Sequence, residues 1–219
     1  MFKAMKKEDK MNKSSIDYSV YLVTDHRGKT DEEILNIIEQ AIKGGTSVVQ
    51  IREKTASTKD FYNLALKAKE ITEKYNVPLI VNDRIDIALA VKSDGVHIGQ
   101  DDMPAKVARE IIGEEMILGV SASTVEEAMK AESDGADYIG SGAVFPTATK
   151  DDADSVSKEE LKEIVNSTSI PVVAIGGITI ENAESLKDAE IDGFSVVSAI
   201  MNADDPKKAS EILKEIYNR

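Results

Sequence analysis

Gln50, Arg52 and Lys54 close the run Val48-Val49-Gln50-Ile51-Arg52-Glu53-Lys54 with three polar side chains at alternate positions. A strand repeats every two residues, so these three share one face while Val49, Ile51 and Glu53 share the other. If the apolar face meets helices, the polar face points into an opening. An Arg and a Lys are costly there unless an anion meets them, and a phosphorylated ligand does so. The competing reading ends the strand at Ile51 and leaves the charges in a solvated loop; three donors in alternation favour the opening. Carboxylates follow in Val81-Asn82-Asp83-Arg84 and in His97-Ile98-Gly99-Gln100-Asp101-Asp102. Presented from neighbouring strand ends, Asp83 and Asp102 could share Mg2+, which favours one or two carboxylates plus waters and substrate phosphates. Asp83 reads alternatively as a helix N-cap. Pro104 at the first helical position would make Met103 the cap and leave Asp102 outside it. Asp101 reads as solvent-facing and His97 as a hydrogen-bonded interior residue. His26 has no evident partner.

Further along, Gly119-Val120-Ser121-Ala122-Ser123 ends another apolar run, and Ser123 or Thr124 is the better cap for the next helix, which leaves Ser121 for chemistry. The stretch Phe145-Pro146-Thr147-Ala148-Thr149-Lys150 carries hydroxyls, backbone N–H groups and an ammonium able to close on an anion. Its alternative is an ordinary loop. Ala174-Ile175-Gly176-Gly177-Ile178 and Val196-Val197-Ser198-Ala199-Ile200 come last. Glycines admit close backbone N–H approach, and a short helix N-terminus at this stage of a barrel binds phosphate.

What must position these groups is an alternation of short β-branched runs with amphipathic segments. The runs are Val20 to Thr24, Ser47 to Ile51, Leu79 to Asn82, Gly95 to Ile98, Ile117 to Ser121, Tyr138 to Ser141, Val172 to Ile175 and Phe194 to Val197. Helical spacing appears in Glu32 to Lys43 and Phe61 to Tyr75, and Pro206 opens a last helix. Strands that read as apolar runs between helices form a parallel sheet buried on both faces. Eight of them, at about 25 residues per unit, predict an α/β fold, a single (β/α)8 TIM barrel, with its active site at the C-terminal strand ends. The alternative open sheet carries a glycine-rich turn after its first strand, whereas Thr24-Asp25-His26-Arg27-Gly28 is no such turn. The barrel is expected over residues 15–219, behind a flexible extension over residues 1–14 that carries five lysines.

Composition narrows the function. Lys and Arg number 27 against 40 Asp and Glu, a net charge of −13, which argues against nucleic acid as a partner while leaving small anions open. No cysteine is present, so disulfides, thiolate metal sites and a cysteine nucleophile are excluded. No apolar stretch reads as a membrane span or signal-peptide core, and the expectation is a cytoplasmic enzyme with no membrane partner. A homo-oligomer is compatible with the sequence.

Taken in order, Tyr21-Leu22-Val23-Thr24-Asp25, Gln50 to Lys54, Val81 to Arg84, Gly95 to Gln100, Gly119 to Ser121, Phe145 to Lys150, Ala174 to Ile178 and Val196 to Ile200 resemble the thiamine-phosphate synthase family. The likeness runs from about Tyr18 to the last helix. It implies an enzyme that joins aminopyrimidine methyl diphosphate to a thiazole ethyl phosphate, or its carboxylated form, releasing pyrophosphate and thiamine phosphate. It further implies that Gln50, Arg52, Lys54 and Asn82 bind the pyrimidine diphosphate and that Asp83 and Asp102 hold Mg2+. Ser121 and Lys150 would contact the pyrimidine substrate. Thr147, Ala148, Thr149, Gly177, Val197 and Ser198 would hold the thiazole phosphate. The family's route is dissociative, through a methylene cation on the pyrimidine, and needs no protein nucleophile; the sequence offers no convincing Ser/His/Asp set. Ala143 stands where the family commonly has proline, and Ile51 replaces a usual leucine. Two rivals remain: a thiazole tautomerase, which needs neither the diphosphate donors nor both Asp residues, and a non-catalytic sensor of a phosphorylated ligand.

Overall fold

In the computed structural model, residues 13–146 and 155–219 are described. Eight parallel strands close in sequence order into a barrel: β1 (Val20–Val23), β2 (Val48–Ile51), β3 (Leu79–Asn82), β4 (Gly95–Ile98), β5 (Ile117–Ser121), β6 (Tyr138–Ser141), β7 (Val172–Ile175) and β8 (Gly193–Val196). The helices are α1 (Asp31–Lys43), α2 (Thr58–Tyr75), α3 (Ile85–Val91), α4 (Ala105–Ile112), α5 (Val125–Ser133), α6 (Lys158–Ser167), α7 (Ser198–Met201) and α8 (Pro206–Asn218). The single (β/α)8 barrel expected from the alternation is the fold observed.

Several boundaries differ from the sequence reading, for local reasons. α1 starts at Asp31 because Thr30 and Glu33 form a reciprocal capping box, and α2 starts at Thr58 behind the Ser57 cap. Pro104 does not enter α4: at φ −53° and ψ 135° it occupies the cap position itself, so Met103 is not the cap. β8 ends at Val196, and Val197 caps α7. After β7 the connection is a 3-10 segment, Ala183–Ala189, since only a short span separates the Thr179–Asn182 turn from β8. Lys13 belongs to a 3-10 turn docked on the barrel, its Nζ 2.7 Å from Asp137 Oδ1; residues 1–12 of the expected extension lie outside the described residues.

Strand alternation sorts the core into two layers. Val20, Leu22, Val49, Ile51, Val81, Val96 and Leu118 face outward and pack under the helices. Tyr18, Tyr21, Val48, Ile80, Ile117, Tyr138 and Val173 face inward and plug the barrel. Each fully buried aliphatic side chain contributes about 1.5–3 kcal/mol. The plug fills the lower interior, and a cavity opens above it at the C-terminal strand ends. Among the described residues no helix is long and apolar enough to cross a membrane.

Candidate active site

Above the plug lies a cavity of about 420 Å3. Its wall takes Gln50, Arg52 and Lys54 from β2 and the turn after it, Asn82 from β3 and Asp83 just past it, Asp102 from the turn after β4, Ser121 from β5, Gly177 after β7, and Val197 and Ser198 after β8. Gln50 faces the cavity as strand parity predicts, with Val49 and Ile51 on the helix side; β2 ends at Ile51, and Arg52 and Lys54 line the mouth from the turn after it. Thr147, Ala148, Thr149 and Lys150 lie outside the described residues.

The donors on β2 meet the cavity in different states. Arg52 is fixed through its backbone, whose N–H donates to Thr24 Oγ1 at 2.9 Å, while its half-buried guanidinium has no hydrogen-bond or ion-pair partner among the described residues. Asn82 is buried, and its Nδ2 is likewise unpartnered. A buried amide donor left unpaired costs on the order of 1–3 kcal/mol, so the wall offers cationic and neutral donors to an acceptor-rich ligand. Lys54 Nζ lies 2.5 Å from Asp83 Oδ2.

Asp83 sits in the left-handed region at φ +60°, which lifts it out of β3 and turns it toward the mouth. It does not cap α3; Arg84 holds that position and makes no side-chain capping bond. Asp102 Oδ2 accepts the Gly99 N–H at 2.7 Å, so it closes its own turn and stays outside the α4 cap. Burial and the adjacent Asp83 carboxyl push the Asp102 carboxyl above the usual carboxylate range, against the pull of the Gly99 N–H and Lys54. Two carboxylates crowded in this way form a charge pair that a hard divalent cation relieves. No cluster of three or more such ligands occurs among the described residues.

Tyr21 and Tyr138, which the sequence did not single out as site residues, complete the floor. Gln50 Nε2 donates to Tyr21 OH at 2.7 Å, and Tyr21 OH lies 2.6 Å from Tyr138 OH. Tyr138 OH lies 2.9 Å from His97 Nδ1, and His97 Nε2 lies 3.0 Å from Ser121 Oγ. His97 is thus a hydrogen-bonded interior residue that also lines the cavity. The available signal was glycine at 119 and 140, inward positions on neighbouring strands that leave room for large side chains. His26 lies at the rim between Asp31, with Nε2 to Oδ1 at 3.0 Å, and Glu53, with Nδ1 to Oε2 at 3.5 Å. Thr124 caps α5, as one of the two serine or threonine candidates expected there.

Gly176 and Gly177 adopt φ +99° and +64°, and a Cβ on Gly177 would meet Pro146 O at 2.6 Å. The turn therefore packs directly against the start of the connection after β6. Beyond β8, the short helix α7 begins at Ser198, which with Val197 lines the cavity.

Cationic side chains, paired carboxylates and a glycine turn line the C-terminal mouth of a (β/α)8 barrel, the end at which barrel enzymes carry their active sites. The pattern of the family described as thiamine monophosphate synthase matches residues 20–200, and the chain belongs to that family. It is similar to a thiamine-phosphate synthase of Methanobrevibacter smithii, 68% identical over 203 residues that cover 92% of this chain and 97% of that one. A thiamine-phosphate synthase of Clostridium tetani is 53% identical over 208 residues, covering 95% and 100%. Among solved structures, a thiamine phosphate pyrophosphorylase from Pyrococcus furiosus superposes with a TM-score of 0.85 at 40% identity, covering 93% of this chain and 96% of that one. An N-acetylmannosamine-6-phosphate 2-epimerase from Clostridium perfringens, with a TM-score of 0.65 at 18% identity, shares the fold. The chain is a transferase of thiamine biosynthesis acting on small molecules.

Proposed function

We propose that the enzyme condenses 4-amino-2-methyl-5-pyrimidinylmethyl diphosphate with thiazole ethyl phosphate, or its carboxylated form, giving thiamine phosphate and pyrophosphate. The carrying observation is that β2 donors and the Asp83/Asp102 pair face one cavity whose far wall is the Gly176-Gly177 turn. That arrangement suits a diphosphate at one side and a monophosphate at the other.

Gln50, Arg52, Lys54 and Asn82 hold the pyrimidine diphosphate; the unpaired guanidinium and the orphaned Asn82 amide acquire acceptors when it binds. Asp83 and Asp102 would hold Mg2+, and the crowding of their carboxyls supports that assignment. When bound, Mg2+ supplies positive charge that neutralises a diphosphate leaving group. Arg52 and Lys150 add donors for the charge that develops as the C–O bond to diphosphate breaks. The route is dissociative: the aminopyrimidine carries the resulting methylene cation, and the thiazole nitrogen captures it. Ser121 and Lys150 position the pyrimidine. Thr147, Ala148, Thr149, Gly177, Val197 and Ser198 hold the thiazole phosphate near the reacting carbon. No protein nucleophile enters, and positioning with exclusion of water supplies much of the rate.

Incubating the pure protein with both substrates and Mg2+ tests this reading. Stoichiometric thiamine phosphate and pyrophosphate are expected. A folded protein that forms neither overturns it, as does one that converts the thiazole phosphate alone.

A further inference from the structure

The hydrogen-bond chain on the cavity floor takes its direction from the orientation of the Gln50 amide, whose Nε2 is turned to Tyr21 OH. An amide nitrogen only donates, so Tyr21 oxygen accepts from Gln50 Nε2. Burial holds the Tyr21 and Tyr138 phenols well above the ordinary tyrosine range, so each keeps one proton to give. Were Tyr138 the donor to Tyr21, the Tyr21 proton would be left without an acceptor among the described residues, on a side chain only 1% exposed. Tyr21 therefore donates to Tyr138, Tyr138 donates to His97 Nδ1, and neutral His97 carries its proton on Nε2 and donates to Ser121.

We propose that Tyr21, Tyr138 and His97 are positioning residues that set the hydrogen-bond polarity of Gln50 and Ser121. With its nitrogen engaged below, Gln50 presents its carbonyl oxygen as an acceptor. With its oxygen engaged by His97, Ser121 presents its hydroxyl proton as a donor. An acceptor on one side and a donor on the other complement an amino group beside a ring nitrogen, the edge of an aminopyrimidine. This last step rests on the function proposed above; the polarity of the chain does not. The architecture makes room for it: a Cβ at Gly119 would fall 2.1 Å from Tyr138 Cζ, and one at Gly140 would fall 3.0 Å from His97 Cε1. The relay joins strands far apart in sequence, which holds both substrate-facing groups to one frame.

The chain has two histidines, so long-range proton–nitrogen correlation spectra of histidine-labelled, ligand-free protein resolve both, with His26→Ala assigning them. The expected spectrum has His97 unprotonated at Nδ1 and protonated at Nε2. Tyr138→Phe removes the donor to Nδ1; a mixed tautomer is expected, with KM for the pyrimidine diphosphate raised about five- to tenfold and KM for the thiazole phosphate unchanged. A wild-type His97 protonated at Nδ1 reverses the chain and overturns the proposal, whether or not the variant folds. So does a Tyr138→Phe protein with an unaltered tautomer and unaltered KM. Absence of thiamine phosphate formation with the expected tautomer would sink the substrate reading alone.

Discussion

At the residue scale, Asp83 stands where opposite and like charges meet. Its carboxyl neighbours both Lys54, at 2.5 Å, and the Asp102 carboxyl, so its removal strips one of two anionic anchors. Asp83→Ala is expected to lower activity at least tenfold at moderate Mg2+ and to recover in part at high Mg2+, because Asp102 remains; an unchanged Mg2+ dependence of the rate would remove Asp83 from the metal site. Lys150→Ala is expected to slow the chemical step more than it weakens thiazole phosphate binding, as measured by single-turnover rates against KM; equal effects would reassign it. Gln50 could be read because alternation puts it opposite Val49 and Ile51, whereas Arg52 and Lys54 follow from the turn past the end of β2 at Ile51. Tyr21 and Tyr138 could not, because inward tyrosines read as core, and their contact spans 117 residues.

At the scale of elements, strand and helix identity was readable and the ends were not, since caps and tight turns set the ends. Pro104 caps α4 with extended backbone, and Asp83 leaves β3 through the left-handed region; neither follows from periodicity. The elements also divide labour between the barrel ends. At the N-terminal end, Asp94, Asp137 and Asp192 each accept an N–H at the start of the strand before their own: Leu79 at 2.8 Å, Leu118 at 2.8 Å and Val172 at 2.7 Å. Asp137 also takes Arg109 at 2.6 Å and Lys13 at 2.7 Å. Asp137→Ala is expected to destabilise the fold by about 2–3 kcal/mol in denaturant titrations, by stranding the Leu118 N–H and a largely buried guanidinium. The kcat and KM of the folded fraction should stay within about twofold, since this end carries stability and the other carries chemistry. A selective loss of kcat in the fully folded variant would break that division.

For the whole molecule, the charge of −13 and the pI near 4.7 describe the outer surface rather than the mouth. Part of that acidity is structural, spent on the strand-joining Asp residues and on the caps Glu33 and Glu160, whose carboxyls accept N–H bonds that hold them below the usual range. The opposite end of the pH scale tests the core. Tyr18, Tyr21 and Tyr138 are at most 4% exposed, and burial raises all three above the ordinary tyrosine value near 10. In the unfolded chain they ionise near that value, while in the folded one they stay neutral. Stability from this source is therefore whole below about pH 10 and falls as pH rises, by about 1.4 kcal/mol per pH unit for each tyrosine. Three together remove about 4 kcal/mol per unit, against a typical domain stability of 5–15 kcal/mol. Alkaline unfolding is expected one to four pH units above 10, roughly. Tyrosinate absorbance should rise in two stages, the later one coinciding with loss of the far-ultraviolet dichroism. Tyr138→Phe, which carries one ionisable core phenol fewer, should flatten the fall of stability with pH by about a third. Tyrosinate that forms in full while the dichroism persists would mean that the inner plug admits charge, and with it that the floor of the site is wet.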